Sequence, residues 1–286
     1  MLFRSSALVP TVVTDERELV GANSRLGLLS GIVGFVAAAP AAIVQLVSPN
    51  ATLILSGVIF IVAVVSAWGL PRDARVATGP RTATEVRELR SRRITRSVAA
   101  MRLMRGLVGL MFFHLAFWLR DQKAGTVWFG FAVSMSALAT MGANACAPIV
   151  RRRLREETMI VVALVSTAVG GAVCTWVGGV TGGVILVAVV NAFAAICRLA
   201  YEAVVQADAP DANRARAFAT FETQFQLVWV GAGLVPVVLR LPGELGFFFV
   251  GATAAIGALL FVLRVRVSGR SRGARATGPA RRPRRA

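Results

Sequence analysis

Charge is missing from most of this chain. No Asp, Glu, Lys, Arg or His occurs between Gly27 and Leu70, between Thr158 and Cys197, or between Leu245 and Leu263. Such stretches exclude a water-soluble domain, whose surface helices keep a polar face. Each is long enough for one or two membrane crossings, because a hydrocarbon core of about 30 Å takes about 20 apolar residues in a helix. Cysteine is sparse as well. Cys146, Cys174 and Cys197 sit within or at the edge of apolar runs, without CxxC spacing and odd in number, which argues against a disulfide framework or zinc site. The single histidine, His114, has no second His, Cys or carboxylate at ligand spacing, so no metal is expected. No nucleophile–base pair, HExxH, P-loop or GxSxG occurs, so neither enzyme chemistry nor a cofactor is expected. A secretory signal is not recognisable either: the apolar head Met1–Val13 is broken by Pro10 and has no A-x-A pattern.

What is present is 56% hydrophobic and 16% charged, over 286 residues. The fold class this predicts is an all-α polytopic membrane protein with about eight transmembrane helices. The apolar runs place them at Asn23–Val47, Ala51–Leu70, Ala99–Leu119, Gly125–Val150, Met159–Val177, Gly182–Val205, Ala217–Leu239 and Leu245–Val265. Arg102 and Arg105 open the third and are expected to reach back to the interface.

The basic residues, 31 arginines and one lysine, concentrate in alternate connections. On the side of the N-terminus lie 29 of them; the other side holds only Arg120, Lys123 and Arg240. The positive-inside rule then puts both termini in the cytoplasm of a cell-membrane protein. Within Arg81–Val98, Thr82 and Glu85 have capping-box spacing, and Val86, Leu89 and Ile94 fall on one helical face. The expectation is an amphipathic helix lying along the inner membrane surface. The tail Arg266–Ala286 has eight arginines and no acid, and reads as disordered. Partners follow from this: the lipid bilayer, with anionic headgroups attracting the basic segments. Nucleic acid is not expected despite a net charge of +18, since the tail has no aromatic residue to stack on a base.

Three stretches have a familiar form. Leu8–Leu26 includes Leu19-Val20-Gly21-Ala22-Asn23; Ala147–Glu157 carries Arg151, Arg152 and Arg153; and Ala209–Leu227 joins a polar link to a helix start. In their order and spacing they resemble the Major Facilitator Superfamily, in particular its multidrug-efflux-like permeases. The resemblance implies the last two helices of a first half, a long central loop and a complete second half. The segments would be a head at 1–22, a two-helix remnant at 23–70, a loop with its amphipathic helix at 71–98, a six-helix bundle at 99–265 and a tail at 266–286. Efflux members carry Gly-Pro-x-x-Gly-Gly in the fifth helix. Here Ala39-Pro40-Ala41-Ala42-Ile43-Val44 keeps the proline and loses every glycine, which weakens that motif's support for an antiporter.

Polar residues are unevenly shared among the spans. The second, fifth and eighth carry only a few hydroxyls and are expected to face lipid. The fourth holds Ser134, Ser136, Thr140 and Asn144, the sixth Asn191, and the seventh Thr220, Glu222, Thr223, Gln224 and Gln226. Amides and carboxylates are costly in hydrocarbon and turn to a bundle interior or wet cavity. Asn144, Asn191, Gln224 and Gln226 are therefore either substrate contacts or interhelical hydrogen bonds. Glu222 is either a protonatable coupling group or a cytoplasmic-end carboxylate, paired with Arg214 or Arg216 or favouring the positive helix N-terminus. His114 is either a proton-responsive, substrate-contacting group or a neutral ring bonded to a neighbouring helix. Arg198 and Glu202, at i and i+4, read as a local ion pair. Asp208, Asp211, Arg214 and Arg216 read as a solvated link.

The resulting expectation is a secondary active transporter moving a small-molecule substrate. The alternative is a truncated helix-bundle protein without transport, which a genuine start at Met1 would favour. The arginine distribution makes a direct prediction. Cysteines placed at Ser48 and Gly179 should react with membrane-impermeant reagent from outside, and cysteines at Arg92 and Arg275 should not. External protection of Gly179 would reverse the orientation.

Overall fold

The computed structural model describes residues 25–34, 36–37, 43–44, 47–68, 80, 82–209, 214–239 and 241–276. The head 1–22, the Pro40 motif, Asp211, Arg240 and the end of the tail, 277–286, lie outside the described residues. Every regular element among the described residues is helical. The helices are α1 Arg25–Gly34, α2 Pro49–Trp68, α3 Ala83–Leu89, α4 Arg92–Trp118, α5 Gly125–Arg153, α6 Glu156–Val177, α7 Gly179–Asp208, α8 Arg214–Leu239 and α9 Gly243–Ala276. Helix is what apolar sequence requires here, since a backbone in hydrocarbon must satisfy its own hydrogen bonds. Six helices, α4 to α9, are long and apolar enough to cross a membrane. Two apolar helices, α1 and α2, stand where the first two spans were expected.

The six pack by a simple rule. α4 lies mainly on α8 and α7, α5 on α7, and α6 on α9 and α7, while α9 also touches α4. Exchanging the first three for the last three turns the α4–α8 pair into α7–α5 and the α6–α7 pair into α9–α4. The α4–α7 and α6–α9 pairs map onto themselves. Three helices per unit reverse direction in the membrane, so this is the contact pattern of an inverted repeat. α4 and α7 are the most buried helices, α5 and α8 the least.

Small residues set the closest approaches. A Cβ on Gly171 of α6 would collide with the Gly251 Cα of α9, and one on Gly109 of α4 with the Trp229 carbonyl oxygen of α8. α1 meets α5 through Gly27 and Gly31, one helical turn apart, whose added Cβ atoms would strike Asn144 and Met141. The α6–α7 turn depends on Gly178 and Gly179, with φ of 68° and 60°, where a side chain is strained.

Several expectations shift. The segment Thr82–Ser97 is not one surface helix. The Thr82 hydroxyl accepts from Glu85 N at 3.1 Å and starts α3, but the chain turns at Arg90. There the Ser91 hydroxyl accepts from Ile94 N at 3.2 Å and starts α4. Ile94, Ser97 and Val98 are therefore buried in the bundle, and Glu85 is buried with Arg216 of α8 3.9 Å away. α9 continues to Ala276, well into the tail expected to be disordered from Arg266. Adding residues to an existing helix costs far less than starting one, and arginine is a good helix former. The fifth and eighth spans do not simply face lipid: Leu164, Thr167 and Cys174 of α6 and Phe247, Val250 and Ala254 of α9 are all buried.

The Gly171–Gly251 contact yields a prediction. Gly171→Val should lower the unfolding midpoint in detergent, by about 1–3 kcal/mol of overpacking. Gly130→Ala, with nothing within 4 Å of the added carbon, should leave it unchanged. Equal stability of the two variants would mean that α6 and α9 stand further apart.

Candidate functional site

Charged side chains occur well inside three of the spanning helices, and they converge. Arg105 is the 14th residue of α4, about 20 Å from its arginine-rich end at 1.5 Å per residue. Glu222 is the ninth residue of α8, and Arg198 and Glu202 lie in the last three turns of α7. The Arg198 Nε donates to Glu202 Oε1 at 2.8 Å, as their i,i+4 spacing suggested. Arg105 Nη2 stands 3.7 Å from Glu222 Oε1, a looser pair. Gln226 Nε2 donates to that same Glu222 oxygen at 2.6 Å, and Arg102 Nη2 donates to Gln224 Oε1.

A cavity of about 280 Å³ opens beside these groups, between α4, α5 and α7 with α1 along its edge. Its polar lining is Arg105 from α4, Thr140 and Asn144 from α5, and Asn191, Arg198 and Glu202 from α7. The Thr140 hydroxyl donates to the Ser136 carbonyl, and one Asn191 amide hydrogen to the Val187 carbonyl at 2.8 Å. The second Asn191 amide hydrogen has no partner assigned by that bond. Toward the opposite end, Phe112, Phe113, Phe129 and Trp229 form a cluster of edge-to-face and tilted rings with centroids 5.3–6.1 Å apart. Phe112 follows Arg105, and Trp229 follows Glu222, by seven residues. Two helical turns thus put the aromatic layer on the same faces as the charged layer.

The sequence-predicted residues separate into groups. Asn144 and Asn191 line the cavity. Glu222 and Gln226 lie outside its lining, in a shallow recess on α8 with Leu227 and Val230, and Glu222 meets Arg105 rather than Arg216, which faces Glu85. The side chain of Arg214 lies outside the described residues. Gln224 turns away, into a separate recess that α3, α4 and α8 form at the arginine-rich end. His114 is elsewhere altogether. Its ring is 1% exposed, stacked on Trp118 and edge-on to Phe247, with Nε2 donating to the Gly243 carbonyl at 3.2 Å. It wedges α4 against α9 and is not part of the cavity lining.

Sequence reasoning missed Arg105 and assigned it, with Arg102, to the interface. The signal that identified Glu222 also applied to it: an ionisable residue several turns inside an apolar helix has a partner there. Asp208 was also misread as part of a solvated link. Arg93 of α4 gathers Asp208 of α7 at 2.8 Å and Glu156 of α6 at 3.0 Å, with Glu157 at 3.8 Å, while Arg151 of α5 also reaches Glu156. This clamp ties four helices at the arginine-rich end. Glu156 and Glu157 are in the first turn of α6, where the helix dipole favours them.

Among known proteins, an uncharacterised protein of Mycobacterium leprae is 26% identical over 297 residues, covering 91% of this chain and 51% of the relative. The chain thus spans about half the length of that relative. The sequence pattern of the Major Facilitator Superfamily matches residues 5–233, which include the charged groups of α4, α7 and α8 and the amides of α5 and α7. These helices and the match across most of the sequence make the chain a member of the Major Facilitator Superfamily.

Proposed function

We propose that this protein is a secondary active transporter that moves a small solute through the cavity between α4, α5 and α7, with Glu222 as the group that exchanges a proton. Membership of a transporter superfamily supports the general activity. The observation that carries the finer reading is the gathering of Arg105, Arg198 and Glu202 on a cavity within apolar helices, with Glu222 3.7 Å from Arg105. A bundle needing only stability would do as well with apolar side chains there, because desolvating an ion pair offsets most of its attraction. The inverted helix pairing supports alternating access, in which one bundle rocks against another around a fixed site. The arginine asymmetry supports a place in the cell membrane with both ends cytoplasmic. The resemblance to efflux permeases makes export the direction to examine first.

Glu222 is suited to coupling by its loose pairing. At 3.7 Å from Arg105 it holds a counter-charge without a tight hydrogen bond, so substrate or a proton can displace it. Glu222→Gln keeps shape and the bond to Gln226 but has no proton to exchange. In proteoliposomes with a trapped pH-sensitive dye, challenged with a panel of organic solutes, the parent protein should move protons with at least one solute. The variant should be reconstituted equally well and lose that signal about a hundredfold, the usual scale for a positioned acid–base group. Undiminished proton movement in the variant would remove Glu222 from coupling. No solute-driven movement, by this chain or by a version extended upstream, would overturn transport itself.

A further inference from the structure

The charges lining the cavity do not balance. Among the described residues, Arg105 and Arg198 stand against Glu202 there, while Glu222 lies outside the lining, 3.7 Å from Arg105. Arg198 and Glu202 are matched at 2.8 Å. Arg105 shares its one carboxylate at 3.7 Å with the closer Gln226 amide, and its buried Nε has no hydrogen-bond partner. A half-buried guanidinium with an unused donor and a distant counter-ion suits an oxyanion, since guanidinium and carboxylate or phosphate oxygens match as planar, charge-assisted pairs.

We infer that the cavity takes an anionic organic solute, its carboxylate or phosphate group seated on Arg105. This inference rests on the transport reading above and names the substrate class. The lining suits such a group. Arg105 and Arg198 outnumber the one lining carboxylate, Glu202, which Arg198 already neutralises. The Asn191 amide has a hydrogen left to donate, on the α7 wall that also carries Arg198. Glu222 then competes with the solute for Arg105, so loading the anion frees the carboxylate that transport needs to protonate.

The test is thermal unfolding of the full chain in nanodiscs of zwitterionic phosphatidylcholine, titrated with benzoate, phenyl phosphate and uncharged benzamide. At least one of the two anions should raise the midpoint saturably, and benzamide should not; which anion does so tells carboxylate from phosphate. Arg105→Gln should weaken anion binding about tenfold or more, the scale of one lost charge-assisted hydrogen bond, and Arg105→Lys should restore part of it. Glu222→Gln should act in the opposite direction and tighten the anion several-fold by removing its competitor. That opposite sign decides the matter even where Arg105→Gln fails to fold. Equal responses to benzoate and benzamide, no response to either anion, or unchanged affinity in Glu222→Gln would overturn the inference. Proton movement driven by an uncharged solute, with no anion binding, would reject the substrate class and leave transport standing.

Discussion

A guanidinium or carboxylate carried into a bilayer is stable only against an opposite charge, a set of dipoles or water. The arrangement of α4, α7 and α8 follows from that constraint. Three arginines and two glutamates enter the apolar region on these helices, and each turns inward because the lipid side has nothing to offer it. α4 and α7 are consequently the most buried helices although α4 carries two of the arginines. The exposed faces of the same bundle are apolar, as with Trp176, Leu227 and Leu259. This is the reverse of a soluble protein, where charge lies outside and the interior is apolar.

Small residues make the inward charges possible. Lipid tails are as apolar as leucine, so helices associate through close packing rather than through the hydrophobic effect. Gly109 and Gly233 bring α4 and α8 close, the first beneath the Trp229 carbonyl and the second beneath the Phe113 ring. The same helix pair carries Arg105 and Glu222, and its close approach sets the distance between them. Gly27 and Gly31 place α1 against Asn144 and Met141, which closes one edge of the cavity. At the arginine-rich end, Arg93 replaces glycine as the means of attachment, with carboxylates from α6 and α7 converging on one guanidinium.

The apolar runs were legible because a bilayer-spanning helix has one dominant requirement, length without charge. That requirement located α5 to α8 closely and the apolar parts of α4 and α9, whose charged extensions it missed, and left α1 and α2 where the first two runs fall. Local signals were legible too: Thr82 caps α3, and Arg198 meets Glu202 one turn on. What escaped was set by contacts distant in sequence. The break at Ser91 was hidden because Ile94 and Val98 have the spacing of an amphipathic helix, and only the bundle decides that they belong to α4. Arg105 looked like an interfacial residue until α8 brought Glu222 to it. His114 was polar and central in its span, yet its partner is a backbone carbonyl of Gly243, to which no sequence pattern points. Asp208 had acids and arginines beside it in sequence, and its partner, Arg93, is on another helix.

The central claim is a wet, net-positive cavity within apolar helices. Reaction rates of a cysteine at Asn191, in a chain whose Cys146, Cys174 and Cys197 are replaced, report on it most directly. An anionic sulfonate thiol reagent should react faster than a cationic trimethylammonium reagent of similar size, by about tenfold for one unbalanced charge at short range in a partly screened site. Arg105→Gln in the same background should abolish the preference. Equal rates for the two reagents, or protection of this cysteine from both, would contradict the account.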